Sequence, residues 1–169
     1  MTEPPEIICE RHGPAGLVTL NRPAALNALT HGMVTDLAKA LADWATDPRV
    51  TRVVVRGAGE RAFCAGGDIR RLHELGKAGR QGEALAFWAD EYRLNVAIKH
   101  YPKPYVALVD GIVMGGGVGI SLHGSHRIAG DRYLFAMPEV GIGFFPDVGA
   151  TWALPRLPRM AGRWLALTG

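Results

Sequence analysis

Tyr105-Val106-Ala107-Leu108-Val109 followed by Gly111-Ile112-Val113-Met114-Gly115-Gly116-Gly117-Val118-Gly119 decides the fold. Five apolar residues rich in valine read as a buried strand, and Pro102 and Pro104 close whatever precedes it. The glycine run is too flexible for a free helix, but it suits a helix start pressed against other backbone.

The same order appears upstream. Val53-Val54-Val55 is a β-branched run that suits a strand buried on both faces, and a glycine-rich loop follows it through Ala65-Gly66-Gly67-Asp68. Further back, Leu17-Val18-Thr19-Leu20 reads as a strand ended by Asn21-Arg22-Pro23. Thr30 can cap a helix carrying Met33, Val34, Leu37, Leu41 and Trp44 on one face, stopped by Asp47-Pro48. A second helix is expected to place Leu85, Trp88, Tyr92 and Val96 on its apolar face. His126–Ala129 and Tyr133–Ala136 read as short strands, and residues 148–168 as helix broken at Pro155 and Pro158. Alternating strands and helices give an α/β fold with right-handed crossovers.

The 169 residues, 48% hydrophobic and 21% charged, suffice for one core, and no linker or repeat divides them, so residues 1–169 read as a single domain. No apolar run reaches membrane-spanning length and no secretion signal opens the chain, which leads us to expect a cytoplasmic protein. Cys9 and Cys64 are too few and too far apart for a disulfide framework, and reduced thiols are expected. A net charge of +3 suits an anionic ligand such as coenzyme A. Without an aromatic-interleaved basic patch, the basic isoelectric point does not carry a nucleic-acid role.

The glycine turns at Gly67 and Gly116 can each offer helix-start amides. Two converging on one carbonyl oxygen would form an oxyanion hole; tight helix packing explains the same glycines equally well. Gly115–Gly119 does not satisfy GxGxxG, and no Gly-Lys-Ser/Thr follows the earlier loop, which sets dinucleotide and phosphate-loop readings aside. Downstream, Glu139 and Asp147 lie among Met137, Val140, Ile142, Phe144 and Phe145, where an unpaired carboxylate is costly. Each has a local alternative: Glu139 as cap of a turn after Pro138, Asp147 as N-cap of a helix from Val148. His123 and His126 lack a third metal ligand, and Ser121 and Ser125 lack a GxSxG elbow, so neither a metal site nor a serine triad is expected. Arg70, Arg71, Lys99 and Lys103 read as a solvated basic face.

The segments Leu20-Asn21-Arg22-Pro23, Ala24 to Leu29, Phe63-Cys64-Ala65-Gly66-Gly67-Asp68-Ile69, Met114-Gly115-Gly116-Gly117 and Met137-Pro138-Glu139 together resemble the crotonase (enoyl-CoA hydratase/isomerase) superfamily. The resemblance implies a spiral of repeated ββα units, Gly67 and Gly116 amides on a thioester oxygen, coenzyme A along the Ala65 loop, and trimers or hexamers. It also implies Ala65, Asp68 and Gly119 at the substrate, with Glu91 implied there by one hydrolase branch of the superfamily.

Hydratases of the superfamily place a second glutamate where this chain has Gly119. Together with Gly143-Phe144-Phe145-Pro146-Asp147-Val148-Gly149, this departure resembles the superfamily's 3-hydroxyisobutyryl-CoA hydrolase branch. That branch implies thioester hydrolysis in valine catabolism, with Glu139 and Asp147 catalytic and no cofactor beyond the substrate's own coenzyme A. Its chains are about twice as long, so the 169 residues are expected to be its N-terminal core. The competing readings are an enoyl-CoA hydratase or isomerase and a non-catalytic acyl-CoA-binding fragment.

Overall fold

The computed structural model describes residues 4–168. The strands form two sheets. A five-stranded sheet has the order β1-β2-β3-β5-β7, formed by β1 (Ile7–His12), β2 (Ala15–Leu20), β3 (Arg52–Gly57), β5 (Tyr105–Val109) and β7 (His126–Ala129). A three-stranded sheet has the order β4-β6-β8, formed by β4 (Ala62–Cys64), β6 (Ile112–Met114) and β8 (Leu134–Ala136). Among the described residues only β1 and β2 pair antiparallel; every other pairing of these strands is parallel and so needs a crossover. The first repeat gives both its strands, β1 and β2, to the larger sheet, and from β3 onward each repeat gives one strand to each sheet, which is the expected ββα spiral.

The strands at residues 17–20, 53–55, 105–109, 126–129 and 134–136 lie where the sequence places them. Strands β1, β4 and β6 escaped the sequence reading, the last two because three-residue strands have no visible period. Within β3, Val53 and Val55 are buried and Val54 is half-buried, so the strand is less enclosed than its composition suggests.

Helix α1 (His31–Thr46) starts as expected, with the Thr30 hydroxyl accepting from the Met33 amide, and buries Met33, Val34, Leu37 and Leu41 against the first strands. Its C-terminal carbonyls are met by Lys103, whose ammonium donates to the carbonyls of Trp44 and Asp47. Lys103 is therefore a helix cap and not part of a solvated face.

Helix α2 (Ile69–Lys77) precedes α3 (Gln81–Lys99), and α3 corrects the expected apolar face. It buries Ala84, Phe87, Glu91, Leu94, Asn95 and Ile98, while Leu85 and Val96 are 64% and 60% exposed. Both stripes have helical spacing; the chosen one carries a glutamate and an asparagine inward, which hydrophobic periodicity cannot foresee. Helix α4 (Gly116–Leu122) starts at the glycine run. Residues 148–168 are broken near both prolines, with α5 (Ala150–Ala153), two 3-10 turns and α6 (Ala161–Thr168).

The loop before α1 hangs on Asn27, which is fully buried with φ +55. Its side-chain oxygen accepts from the Arg22 amide at 3.0 Å, and its amide nitrogen donates to the carbonyls of Ala58 and Ala62, both at 2.9 Å. Asparagine tolerates the left-handed backbone that alanine resists, and alanine would also take the side-chain donor from the buried Ala62 carbonyl and the half-buried Ala58 carbonyl. Asn27→Ala should cost about 3 kcal/mol of unfolding free energy, read from the urea midpoint.

Candidate active site

Parallel pairing of β4, β6 and β8 brings three C-terminal strand ends side by side, in register Ala62↔Ile112, Ile112↔Leu134 and Met114↔Ala136. The loops leaving these strands all emerge at the same edge: Ala65-Gly66-Gly67 after β4, Gly115-Gly116 after β6, and Met137-Pro138-Glu139 after β8. The two glycine turns are equivalent, as expected, but they come after the short second strands of their repeats and not after β3 and β5.

The Gly67 amide is left over by an isolated parallel bridge to Leu29, in which the Leu29 amide donates to Gly66 and the Asp68 amide to Leu29. Gly116 opens α4, so its amide has no intrahelical acceptor. The two backbones touch: a Cβ on Gly116 would sit 3.4 Å from the Gly67 nitrogen and 3.1 Å from Leu29 Cδ1, and would collide with Glu91 Oε1. A Cβ on Gly117 would strike the Cys64 carbonyl. Close packing and a helix-start amide without an intrahelical acceptor are thus both served by the one run.

A cavity of about 620 Å³ opens on this edge, lined by Ala65, Gly66, Gly67, Gly115 and Gly116 together with Glu91, Glu139 and Asp147. Phe87, Trp88 and Phe144 supply apolar wall, Trp88 and Phe144 stacking at 5.6 Å. Glu139, in a 3-10 turn after Pro138, is 8% exposed, and its Oε2 is buried without a hydrogen-bond partner. Its Oε1 lies 3.0 Å from where a Gly115 Cβ would be. Burial raises its pKa, and Asp147 adds to the rise.

Asp147 does not cap the following helix, whose N-cap is Gly149. Its Oδ2 instead accepts from the Tyr92 hydroxyl at 2.7 Å. Burial raises the Asp147 pKa, and the Tyr92 bond works against the rise. Glu91 is only 2% exposed, its Oε1 is unpartnered, and burial, then the like charges of Asp147 and Glu139, push its pKa up to about 8.

Two expected substrate residues stand elsewhere. Asp68 caps α2, accepting from the Arg71 amide at 3.2 Å, and pairs with Arg22 at 3.0 Å; it lines a separate hollow with Glu6, Thr30 and His31. Gly119 is buried within α4, where a Cβ would sit 2.8 Å from Asn95 Oδ1 and 2.9 Å from Val148 Cβ. Nor do His123 and His126 converge: His123 Nε2 meets the Val148 carbonyl at 2.7 Å, and His126 Nδ1 meets Ser125 Oγ. Ser121 donates to the Gly117 carbonyl one turn back, and both cysteines are free, with burial pushing the Cys64 thiol up to about 12.

Sequence reasoning missed Tyr92 as the partner of Asp147, having assigned it to packing. It also missed Asn95, 6% exposed with both amide atoms unpartnered. Asn95 lies one turn after Glu91, and two inward polar residues at that spacing were the available signal.

Two glycine turns beside a buried glutamate, carried on repeated ββα units, are the marks of a crotonase fold. The chain belongs to the enoyl-CoA hydratase/isomerase family, which it matches over residues 15–169. Among curated relatives it is 54% identical to the mitochondrial 3-hydroxyisobutyryl-CoA hydrolase of Danio rerio, over 97% of this chain and 43% of that protein. The mitochondrial 3-hydroxyisobutyryl-CoA hydrolase of Homo sapiens is 51% identical over 97% of this chain and 42% of its own length. Among solved structures, a carnitinyl-CoA dehydratase from Mycobacterium thermoresistibile superposes with TM-score 0.92 at 54% identity, covering 97% of this chain and 48% of that one. An enoyl-CoA hydratase from Rhodobacter sphaeroides 2.4.1 gives TM-score 0.92 at 49% identity, covering 98% and 49%. The chain therefore spans less than half the length of these relatives.

Glu91 makes stability depend on pH. Its folded pKa, about 8, stands above the ordinary 4.5, so the folded state holds the proton more tightly than the unfolded chain. Stability from this group is complete below pH 4.5 and is lost as pH rises through about 8. Glu91→Gln should abolish that loss, leaving the variant on the order of a few kcal/mol more stable than the parent at pH 9 and no more stable near pH 4. Urea midpoints across that range check the sign.

Proposed function

We propose that the protein hydrolyses a 3-hydroxyacyl-CoA thioester, with 3-hydroxyisobutyryl-CoA the favoured substrate and valine catabolism the setting. The Gly67 and Gly116 amides polarise the thioester carbonyl. Glu139 takes a proton from water as the water oxygen bonds to the carbonyl carbon, and the C=O electron pair moves onto the oxygen held by the amides. Collapse re-forms the carbonyl, breaks the C–S bond, and returns the Glu139 proton to the departing thiolate. Direct attack by the Glu139 carboxylate, giving a mixed anhydride, uses the same geometry. After a single turnover in ¹⁸O water, label in the Glu139 carboxylate identifies the anhydride route, opened by water at the glutamyl carbon.

Asp147 anchors the substrate's 3-hydroxyl. The Tyr92 hydroxyl occupies one acceptor position of its carboxylate, and a carboxylate has others to offer. Glu91, buried beside Gly116, stays protonated at neutral pH and so does not oppose negative charge on the neighbouring carbonyl oxygen. Coenzyme A belongs to the substrate, and no separate cofactor has a part in the chemistry. Homo-oligomer assembly, trimeric or hexameric, comes with the family resemblance.

One observation carries the choice of hydrolysis over hydration. The Cβ position of residue 119 is hemmed in by Asn95 and Val148, which leaves no room for a second acid/base glutamate there. Relatives at 51–54% identity bear the hydrolase name, which supports the same reading. Their names also carry the word mitochondrial, so they lend no support to the cytoplasmic expectation. No helix among the described residues is long and apolar enough to cross a membrane.

Glu139→Gln should lower CoA release from 3-hydroxyisobutyryl-CoA by roughly 10²–10⁴-fold while leaving the far-ultraviolet circular dichroism spectrum unchanged. Free-thiol release is compared with crotonyl-CoA hydration on the unaltered protein. Hydration faster than thiol release would favour the hydratase, and acyl-CoA binding with neither activity would favour the non-catalytic fragment.

A further inference from the structure

His123 has no part in the chemistry above. It sits at the C-cap of α4, the helix whose first residue is Gly116. Its Nε2 meets the Val148 carbonyl at 2.7 Å. A carbonyl oxygen only accepts, so Nε2 carries the hydrogen in the neutral and the protonated ring alike.

The turn that His123 holds is strained. Val148 is 3% exposed with φ +44, a left-handed conformation that a β-branched side chain strongly resists. Gly149 follows at φ +79, and a Cβ there would lie 2.7 Å from the His123 ring atoms Cε1 and Nε2. The turn is closed by the Ala150 amide donating to the Asp147 carbonyl at 2.8 Å. The Val148 side chain packs over Gly119, where α4 has no Cβ to meet it. Strain of this kind persists only where its surroundings over-determine it, and it gathers at functional sites.

We propose that His123 is a positioning residue, clamping the left-handed Val148-Gly149 turn so that the Asp147 carboxylate stays at a fixed place relative to the Gly116 amide. This inference rests on the hydrolase reading for its functional consequence, though the clamp itself is geometric. One seven-residue helix carries both fixtures, the amide at its start and the imidazole just past its end, roughly 10 Å apart along the axis. The acyl carbonyl and the 3-hydroxyl of one substrate are thereby referred to a single rigid rod. Tyr92, from α3, holds the carboxylate itself from the other side.

The test compares His123→Ala with His123→Gln, whose amide N–H can still donate to the Val148 carbonyl, in the intact protein. With 3-hydroxyisobutyryl-CoA, His123→Ala should lose roughly 10²-fold in turnover, the scale of a misplaced anchoring group. With isobutyryl-CoA, which lacks the hydroxyl, it should change little, and His123→Gln should restore most of the loss. Equal losses on both substrates, or no rescue, would overturn the clamp. In a Val148→Gly background, where the left-handed turn costs nothing, the His123→Ala penalty should shrink; an undiminished penalty would also overturn it. A crystal structure of His123→Ala gives a readout independent of activity. Asp147 displaced from Tyr92 supports the clamp even if the unaltered protein hydrolyses no thioester, a result that would sink only the functional reading. Asp147 unmoved, with Val148 still left-handed, sinks the clamp alone.

Discussion

Parallel hydrogen bonding among three strands of three residues each is the constraint on which the site depends. Strands β4, β6 and β8 are too short to be stable alone, and they hold because Phe63, Cys64 and Val113 are buried in the common core, with α4 packed against β4 and β6. Their alignment is what turns three sequence-distant loops into one edge bearing Gly67, Gly116 and Glu139. A shift of one strand by a residue would reverse its side chains and move its loop, so register and chemistry are the same requirement.

The cavity concentrates like charge, and the protein separates the roles of its three carboxyls by environment. Asp147 receives a hydroxyl donor from Tyr92, whereas Glu91 has an oxygen with no donor at all and is the most deeply buried of the three. Donors stabilise the charged form and burial stabilises the neutral one. Three acidic side chains on neighbouring elements can therefore hold different protonation states at one pH. A buried neutral acid next to the glycine amides fits a site built to receive charge on a substrate oxygen.

Glycine has three distinct uses here. At Gly116 and Gly117 it lets a helix start touch the neighbouring strand end; at Gly149, with φ +79, it supplies a turn closed to side chains. Gly119 is the third: its missing side chain is space taken by Val148 and Asn95. The same residue type thus provides close approach, backbone freedom and room, and only position tells which.

Sequence alone determined the order of the principal strands and helices, because valine runs, the Thr30 cap and proline stops are local signals. It also singled out Gly67, Gly116, Glu139 and Asp147, since glycine runs after strands and acids among apolar residues are locally anomalous. It could not place β4 and β6, whose three residues carry no period, nor choose between two equally spaced stripes of α3. That choice turned Glu91 and Asn95 inward and left Leu85 and Val96 outside. The Tyr92–Asp147 bond, the Lys103 cap on α1 and the His123 hold on Val148 join residues 25 to 59 positions apart. Such pairings exist only once parallel strands have fixed which loops are neighbours, which is a property of the folded chain and not of any segment of it.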